Sequence, residues 1–428
     1  MLAKTYSDKD VEAIAKKLGP GLITGAADDD PSGIAAYSQA GAQFGYGLLW
    51  TMLLTYPLMV GIQLVSARIG RVTGHGLAWN MRGQHPSAIV FAVVGLLLVA
   101  NTINIAADIS AMADALSILI GGPRHAYTVA VGMLCVVLQI FIPYARYVRV
   151  LKWLTLALLA YVGVVFAVGI SWVEVLAAVL VPKITLTSEY VTTIVAILGT
   201  TISPYLFFWQ ASQECEEIRA CKADQPLRRH PEQAAKQIRR MKLDTFVGMA
   251  VSNAIGFFIM LTAAATLHAH GVVEIQSSAQ AAEALLPIAG RFAFLLFSLG
   301  IIGTGLLAVP VLAGSSAFAL SETFGWRGSL NLSPPQGVRF YGIIAVSTFV
   351  GVGLGFSPVD PIRALYWAAV VNGVISAPIM AATMLLASNG KIMGKFTIGW
   401  PLKALGWGAT GVMAAAALVI VSHHLLSS

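Results

Sequence analysis

Three consecutive carboxylates and a helix breaker, Asp28-Asp29-Asp30-Pro31-Ser32-Gly33, interrupt a run that is otherwise apolar and helix-forming, with Leu22 and Ile23 before it and Ile34 to Tyr37 after it. In a bilayer such a run is a broken helix: Pro31 lacks an N–H and clashes with the preceding turn, while Ser32 and Gly33 tolerate an unwound backbone. The freed carbonyls and the Asp30 carboxylate would then face a polar cavity at mid-membrane, where they could hold a cation. Asp28 and Asp29 precede Asp30 at about 100° steps if helical, so the three cannot all face one ion. One is expected to line the cavity and raise the local cation concentration, the other to pair with a helix or face a vestibule. A second interruption, Gly199-Thr200-Thr201-Ile202-Ser203-Pro204-Tyr205, sets Pro204 among hydroxyls in another apolar run. Its Ser203 hydroxyl and the carbonyls of Thr200 or Ile202, with that of Ala27, are candidate oxygen ligands beside Asp30.

Asn101, Asn104 and Asp108 are spaced to share one helical face. A carboxylate inside a bilayer is expensive and normally faces a cavity or a partner. Asp108 is therefore either a proton relay or outer member of an ion path, or a packing group bonded to a neighbouring helix. Asn372, near Ser376 and Pro378, is a weaker cavity candidate.

The elements that must position these groups follow from composition. Of 428 residues, 57% are hydrophobic and only 11% charged, against about 25% charged in soluble domains. Eleven segments suit helices crossing about 30 Å of hydrocarbon: 20–40, 46–67, 88–120, 126–144, 151–172, 190–212, 245–267, 290–320, 338–356, 362–387 and 403–424. The fold class expected is an all-α polytopic membrane protein. Residues 1–18 form an amphipathic N-terminal segment, 19–400 the transmembrane domain, and 401–428 the last span. The Pro-broken spans open each of two five-helix halves, about 19–175 and 188–388, and such matched breaks point to inverted repeats with a midplane site.

Basic residues divide unevenly between the two faces. Lys4, Lys9, Lys16, Lys17, Arg68, Arg71, Arg82, Arg146, Arg149, Lys152 and the cluster from Arg219 to Lys242 fall on one face, and only Arg124, Lys183, Arg291 and Arg363 on the other. The positive-inside rule places the N-terminus in the cytoplasm and the C-terminus outside, in a cytoplasmic (inner) membrane. The net charge of +7 is spread over loops facing one compartment, which argues against nucleic acid as a partner. The first 18 residues are polar, so no cleavable signal peptide is expected. Three cysteines cannot build a disulfide framework, and Cys215, Cys221 and His230 match no common zinc spacing. Residues 214–242 are expected to be a solvated helix and loop that could attract anionic headgroups, and 268–290 a loop over the entrance.

Gly19-Pro20-Gly21-Leu22-Ile23 with Asp30-Pro31-Ser32-Gly33, then Ser203-Pro204-Tyr205, then Leu306-Leu307-Ala308 through Ala313-Gly314-Ser315-Ser316, resemble the natural resistance-associated macrophage protein (Nramp) family of divalent-metal transporters over nearly the whole chain. The resemblance implies the amino acid-polyamine-organocation superfamily fold: two inverted five-helix repeats, with metal bound between unwound parts of helices 1 and 6. It also implies proton-coupled uptake of manganese or ferrous iron. The chain departs from the family as a divergent bacterial-type member. Asp-Pro-Gly-Asn becomes Asp-Pro-Ser-Gly, so the asparagine ligand is missing, and Met-Pro-His becomes Ser203-Pro204-Tyr205. An oxygen-only site favours harder ions than a thioether would. Loss of the histidine removes a titratable group from the proton path and argues against proton coupling.

The expected function is transport of a divalent cation, Mn²⁺ or a harder ion such as Mg²⁺, by alternating access, the ion being substrate and no cofactor being required. Gly33 is expected to leave space for a retained water, since magnesium dehydrates reluctantly. Two alternatives stand beside it: the same fold carrying a small organic solute whose amine meets Asp30, and a membrane sensor that transports nothing. No zinc-hydrolase or serine-hydrolase motif suggests an enzyme. Partners are the ion and the lipid bilayer; oligomeric state is not legible.

Overall fold

The computed structural model describes residues 24–25, 27–142, 154–185, 187–221 and 224–427. The expected N-terminal segment 1–18, the run Gly19 to Ile23, and Arg146, Arg149 and Lys152 lie outside them. Among the described residues every regular element is helical. Eight helices are long and apolar enough to cross a membrane by length and composition, and a ninth span is a bent pair.

The order of elements follows the expected spans closely. Helices at Trp50–Thr73, Ser87–Ile120 and Arg124–Phe141 form spans two to four. Spans seven to eleven are Ala234–Thr266, Ala293–Phe324, Val338–Leu354, Pro361–Ser388 and Trp400–Ser427. The fifth differs from the single run expected over 151–172: its helix ends at Ala167, and Trp172–Leu180 turns away by 115°. Ser171 starts the new helix by accepting from the Glu174 N–H, and that cap outweighs the apolar continuity of the sequence. The seventh span begins earlier than expected because the polar stretch before residue 245 continues the same helix.

Both Pro-bearing spans are broken where their sequences indicate. In the first, Thr24 to Asp28 are helical where described, Asp29 and Asp30 are not, and the helix resumes at Pro31–Phe44. In the sixth, Ser188–Thr201 stops, Ile202 and Ser203 are extended or irregular, and Pro204–Ala220 follows. Each restart places proline at the first helical position, where its missing N–H costs nothing and its fixed φ suits the helix.

Small residues let the broken spans approach their neighbours closely. A side chain at Gly25 would strike the Gly248 backbone of the seventh span, and one at Gly70 of the second span would strike Ala211 of the sixth. Exchanging the two five-helix halves maps one contact onto the other. The third span is tied to the eighth by Asn101, whose amide donates to the Leu312 carbonyl and to the hydroxyls of Ser315 and Ser316 at 2.8–3.0 Å.

Candidate functional site

The two helix breaks meet. Asp30 caps the resumed first helix: its Oδ1 accepts from Ser32 Oγ at 2.5 Å and from the Gly33 N–H at 2.8 Å. Its Oδ2 faces the sixth span, where the Tyr205 hydroxyl lies 3.4 Å away and donates to the Ala27 carbonyl at 3.0 Å. Capping thus uses one carboxylate oxygen and leaves the other toward the junction. Asp30, Ala27 and Tyr205 are all at most 2% exposed.

Carbonyls at the ends of both stopped helices accept hydrogen bonds, that of Ala27 from Tyr205 as above. Ser203 Oγ donates back to the carbonyls of Gly199 and Thr200 at 2.8 and 2.9 Å, and the Ile202 carbonyl accepts from Ser376 of the tenth span at 3.0 Å. Each carbonyl keeps a second lone pair, and a helix C-terminus carries partial negative charge favourable to a cation. Asp30, Ala27 and Tyr205 come together in direct contact, whereas Ser203, Thr200 and Ile202 are engaged within the sixth span and with the tenth.

Several expectations change. Gly33 does not leave vacant space: a Cβ there would stand 3.0 Å from Thr200 Oγ1 and 3.4 Å from the Tyr37 ring, because the two broken helices pack together at this point. Asn104 and Asn372 are engaged with each other: their amides donate to each other's side-chain oxygens at 2.9 and 3.2 Å and join the third and tenth spans. Of the roles expected of Asp28 and Asp29, pairing with a helix is the one seen, and for both of them rather than one. Both reach Ser252 of the seventh span, whose Oγ lies 2.6 Å from Asp28 Oδ2 and 3.0 Å from Asp29 Oδ1. Asp108 is fully buried, and neither of its oxygens has a hydrogen-bond partner among the described residues.

The basic face is closed by a cluster that sequence reading treated as solvated. Arg71, at the end of the second span, pairs with Glu214 at 2.6 Å and Asp224 at 3.5 Å and also with Glu217, which Arg240 joins. Arg71 and Glu214 are each 1% exposed. Gln210 links the cluster to the first span, donating to Glu214 at 3.3 Å and accepting from Thr24 at 2.5 Å. Residues 227 and 228 complete the seal by donating backbone hydrogen bonds to the carbonyls of Arg71 and Val72. Arg71 had counted only as one more basic residue; no spacing in the sequence marks its partners.

Toward the opposite face lies a vestibule of about 560 Å³ lined by Gln39, Gln43, Glu189, Glu274, Arg363 and Tyr366, among others. Val273 to Ile275 form part of its wall, while much of the stretch expected as a loop is helical, at His268–His270, Ser278–Ala282 and Leu286–Ala289. Thr193 and Tyr366 share a hydrogen bond of 2.9 Å between the sixth and tenth spans at its edge. Among the described residues no three carboxylate, imidazole or thiol side chains converge on one point. The candidate site is thus one carboxylate beside neutral oxygens, buried within the bundle.

Comparison with known proteins agrees with this architecture. The chain is 26% identical over 408 residues to the divalent metal cation transporter MntH of Klebsiella pneumoniae, covering 92% of this chain and 91% of that protein. Its fold matches the crystal structure of the Eremococcus coleocola manganese transporter with a TM-score of 0.78 at 15% identity, over 99% of this chain and 89% of that one. The nucleobase-cation-symport-1 family transporter Mhp1, in a closed conformation, matches with a TM-score of 0.60 at 16% identity, over 95% and 93% of the two chains. The natural resistance-associated macrophage protein-like family model matches residues 21–423. With that match and the junction of two broken helices at Asp30, the chain belongs to the Nramp family.

Proposed function

We propose that the chain is a secondary transporter that carries a divalent hard cation through the junction of its first and sixth spans. The observation that carries this reading is the buried Asp30 carboxylate, with one oxygen committed to capping and the other directed at Tyr205 between two stopped helices. The relatives named for divalent metal and manganese transport support the substrate class. Ligands are Asp30 and the Ala27 carbonyl, joined by the remaining lone pairs at Thr200, Ile202 and Ser203. Oxygen-only donors of this kind suit manganese or magnesium. Tyr205, standing in the family's histidine position, occupies the gap between Ala27 and Asp30 and must give way or accept the ion.

The basic face is the cytoplasmic one in this reading, so the structure is closed toward the cytoplasm and its vestibule opens outward. Entry at the vestibule requires the Thr193–Tyr366 contact to open, and release requires the Thr24–Gln210–Glu214 link to break. We read Asp108 as part of the ion path, a reading supported by the lack of any hydrogen-bond partner for either of its oxygens among the described residues.

Uptake into proteoliposomes, comparing Mn²⁺, Mg²⁺ and Ca²⁺ with a pH dye inside, tests the reading. Saturable uptake abolished by Asp30→Ala is expected, and the dye reports whether protons move with the ion. Folded protein that moves no divalent ion, with an organic amine transported in its place, would overturn it.

A further inference from the structure

The basic end of the seventh span sorts its side chains by face. Lys236, Arg239 and Lys242 are exposed, while Gln237, Met241 and Asp244 are buried against the bundle. Arg240 points the other way and pairs with Glu217 of the closed cluster. Neither Lys236 nor Lys242 is in an ion pair among the described residues. From Ala234 to Val251 the helix carries a single carboxylate, the buried Asp244.

The same face changes character at Leu243. Leu243, Phe246, Val247 and Val251 continue it at steps of three or four residues and are 36–50% exposed, which suits a bilayer boundary and not a solvated helix. At the rise of an α-helix, Lys242 and Arg239 stand about 2 and about 6 Å beyond Leu243, at the depth of lipid headgroups. Deeper along this face, a groove of about 390 Å³ runs between the second and seventh spans, lined by Met52, Leu53, Tyr56, Ala250, Phe257 and Phe258, among others. Polar groups in its wall are spent within the protein. Asn253 accepts from Thr55 and donates to the Met52 carbonyl, and the Tyr56 hydroxyl donates to the Phe246 carbonyl. Ala250, the first residue of the seventh span to line the groove, is about 12 Å along the helix from Lys242, within the roughly 15 Å of hydrocarbon that one leaflet contributes.

We propose that this face binds an anionic phospholipid of the adjoining leaflet. Its phosphate is held by Lys236, Arg239 and Lys242, and one acyl chain runs over Leu243, Phe246 and Val247 into the groove. Charge selects this occupant: basic side chains at headgroup depth attract anionic lipids, whereas a zwitterionic lipid would fill the groove and leave their charge unanswered. A second copy of the chain packed symmetrically on this face would bring two such basic ends together. The inference does not depend on which ion the junction carries.

Spin resonance on the full-length chain in phosphatidylcholine vesicles tests it, with phosphatidylglycerol carrying a nitroxide on its acyl chain as the probe. The motionally restricted fraction is expected to be several-fold larger for this probe than for labelled phosphatidylcholine. Lys236→Gln/Arg239→Gln/Lys242→Gln should lower it to the phosphatidylcholine level. Ala250→Phe, which fills the groove and keeps the charges, should lower it as well. Lys391→Gln/Lys395→Gln, beside Ile392 whose carbonyl accepts from Arg228 at the same basic face, should leave it unchanged. Equal fractions for the two lipids, a preference that survives either the triple variant or Ala250→Phe, or an equal loss with Lys391 and Lys395, would overturn the site. Inorganic phosphate that abolished the preference at constant ionic strength would reveal a phosphate pocket, and disulfide cross-linking between Leu53→Cys chains would reveal a second copy in the groove; either result would overturn the lipid site too.

Discussion

Tyr205 is the residue on which the chemistry of the junction turns. Its hydroxyl donates to the Ala27 carbonyl and lies near Asp30, two of the oxygens proposed to hold the ion. Tyr205→Phe removes that internal competitor while keeping the ring, and should lower the KM for Mn²⁺ uptake several-fold with little change in folding; an unchanged KM would show that the hydroxyl does not compete. Gly33 gives a second test. Restoring the family's asparagine brings a Cβ to 3.0 Å from Thr200 Oγ1, and overpacking of this kind costs about 1–3 kcal/mol. Gly33→Asn alone should reduce thermal stability and uptake, and adding Thr200→Ala should recover part of both. At the closed face, Arg71→Ala leaves Glu214 buried without its counter-charge. Losses of this type run to about 3–5 kcal/mol, so a clear drop in the unfolding temperature of the detergent-solubilised protein is expected, larger than for any exposed arginine such as Arg363.

The broken spans join these residues to movement. Each break combines a polar residue at the cap position with proline at the first helical position, so the chain can stop and restart without leaving a proline inside a hydrogen-bonded turn. Ser203 and Asp30 occupy matching positions but act differently. Ser203 bonds backward to the helix that ends, and Asp30 bonds forward to the helix that begins. The Gly25–Gly248 and Gly70–Ala211 contacts hold the proximal part of the first span to the seventh and the second span to the sixth. Gly25→Leu should force the first and seventh spans apart at the basic face. The expected outcome is weaker Mn²⁺ binding and greater accessibility of a cysteine placed at Thr24, read by alkylation, while Gly408→Leu, where a Cβ meets nothing, should leave both unchanged.

At the scale of the whole molecule, charge asymmetry and closure describe the same face. The cytoplasmic orientation proposed for it makes a direct prediction from the native thiols. Cys221 is exposed near the closed cluster, while Cys135 and Cys215 are buried. A membrane-impermeant maleimide should label Cys221 from the cytoplasmic side only; labelling from outside would invert the topology. The second, third, fifth, ninth and eleventh spans, among others, present exposed apolar side chains, such as Leu53, Phe91, Phe166, Val346 and Leu418, on surfaces that a bilayer would cover, whereas the described parts of the first and sixth expose no large hydrophobic side chain.

The all-helical membrane fold, the two proline breaks and the family were legible in the sequence because each is a local signal: apolar length, a proline inside it, and a short run of residue types. Asp30 as the central carboxylate was legible for the same reason. The Arg71–Glu214–Glu217 cluster was not, since its members come from the second and sixth spans and each looks like an ordinary charge at a helix end. Nor were the Asn104–Asn372 pair, the filling of the space beside Gly33, or the meeting of Asp28 and Asp29 at Ser252. These depend on which faces of distant helices pack together, and side-chain packing between spans leaves no periodic mark in either strand of sequence that makes it. The sequence alone determined the apolar helices and the two proline breaks; tertiary packing decided the bend of the fifth span and which polar groups are spent on one another.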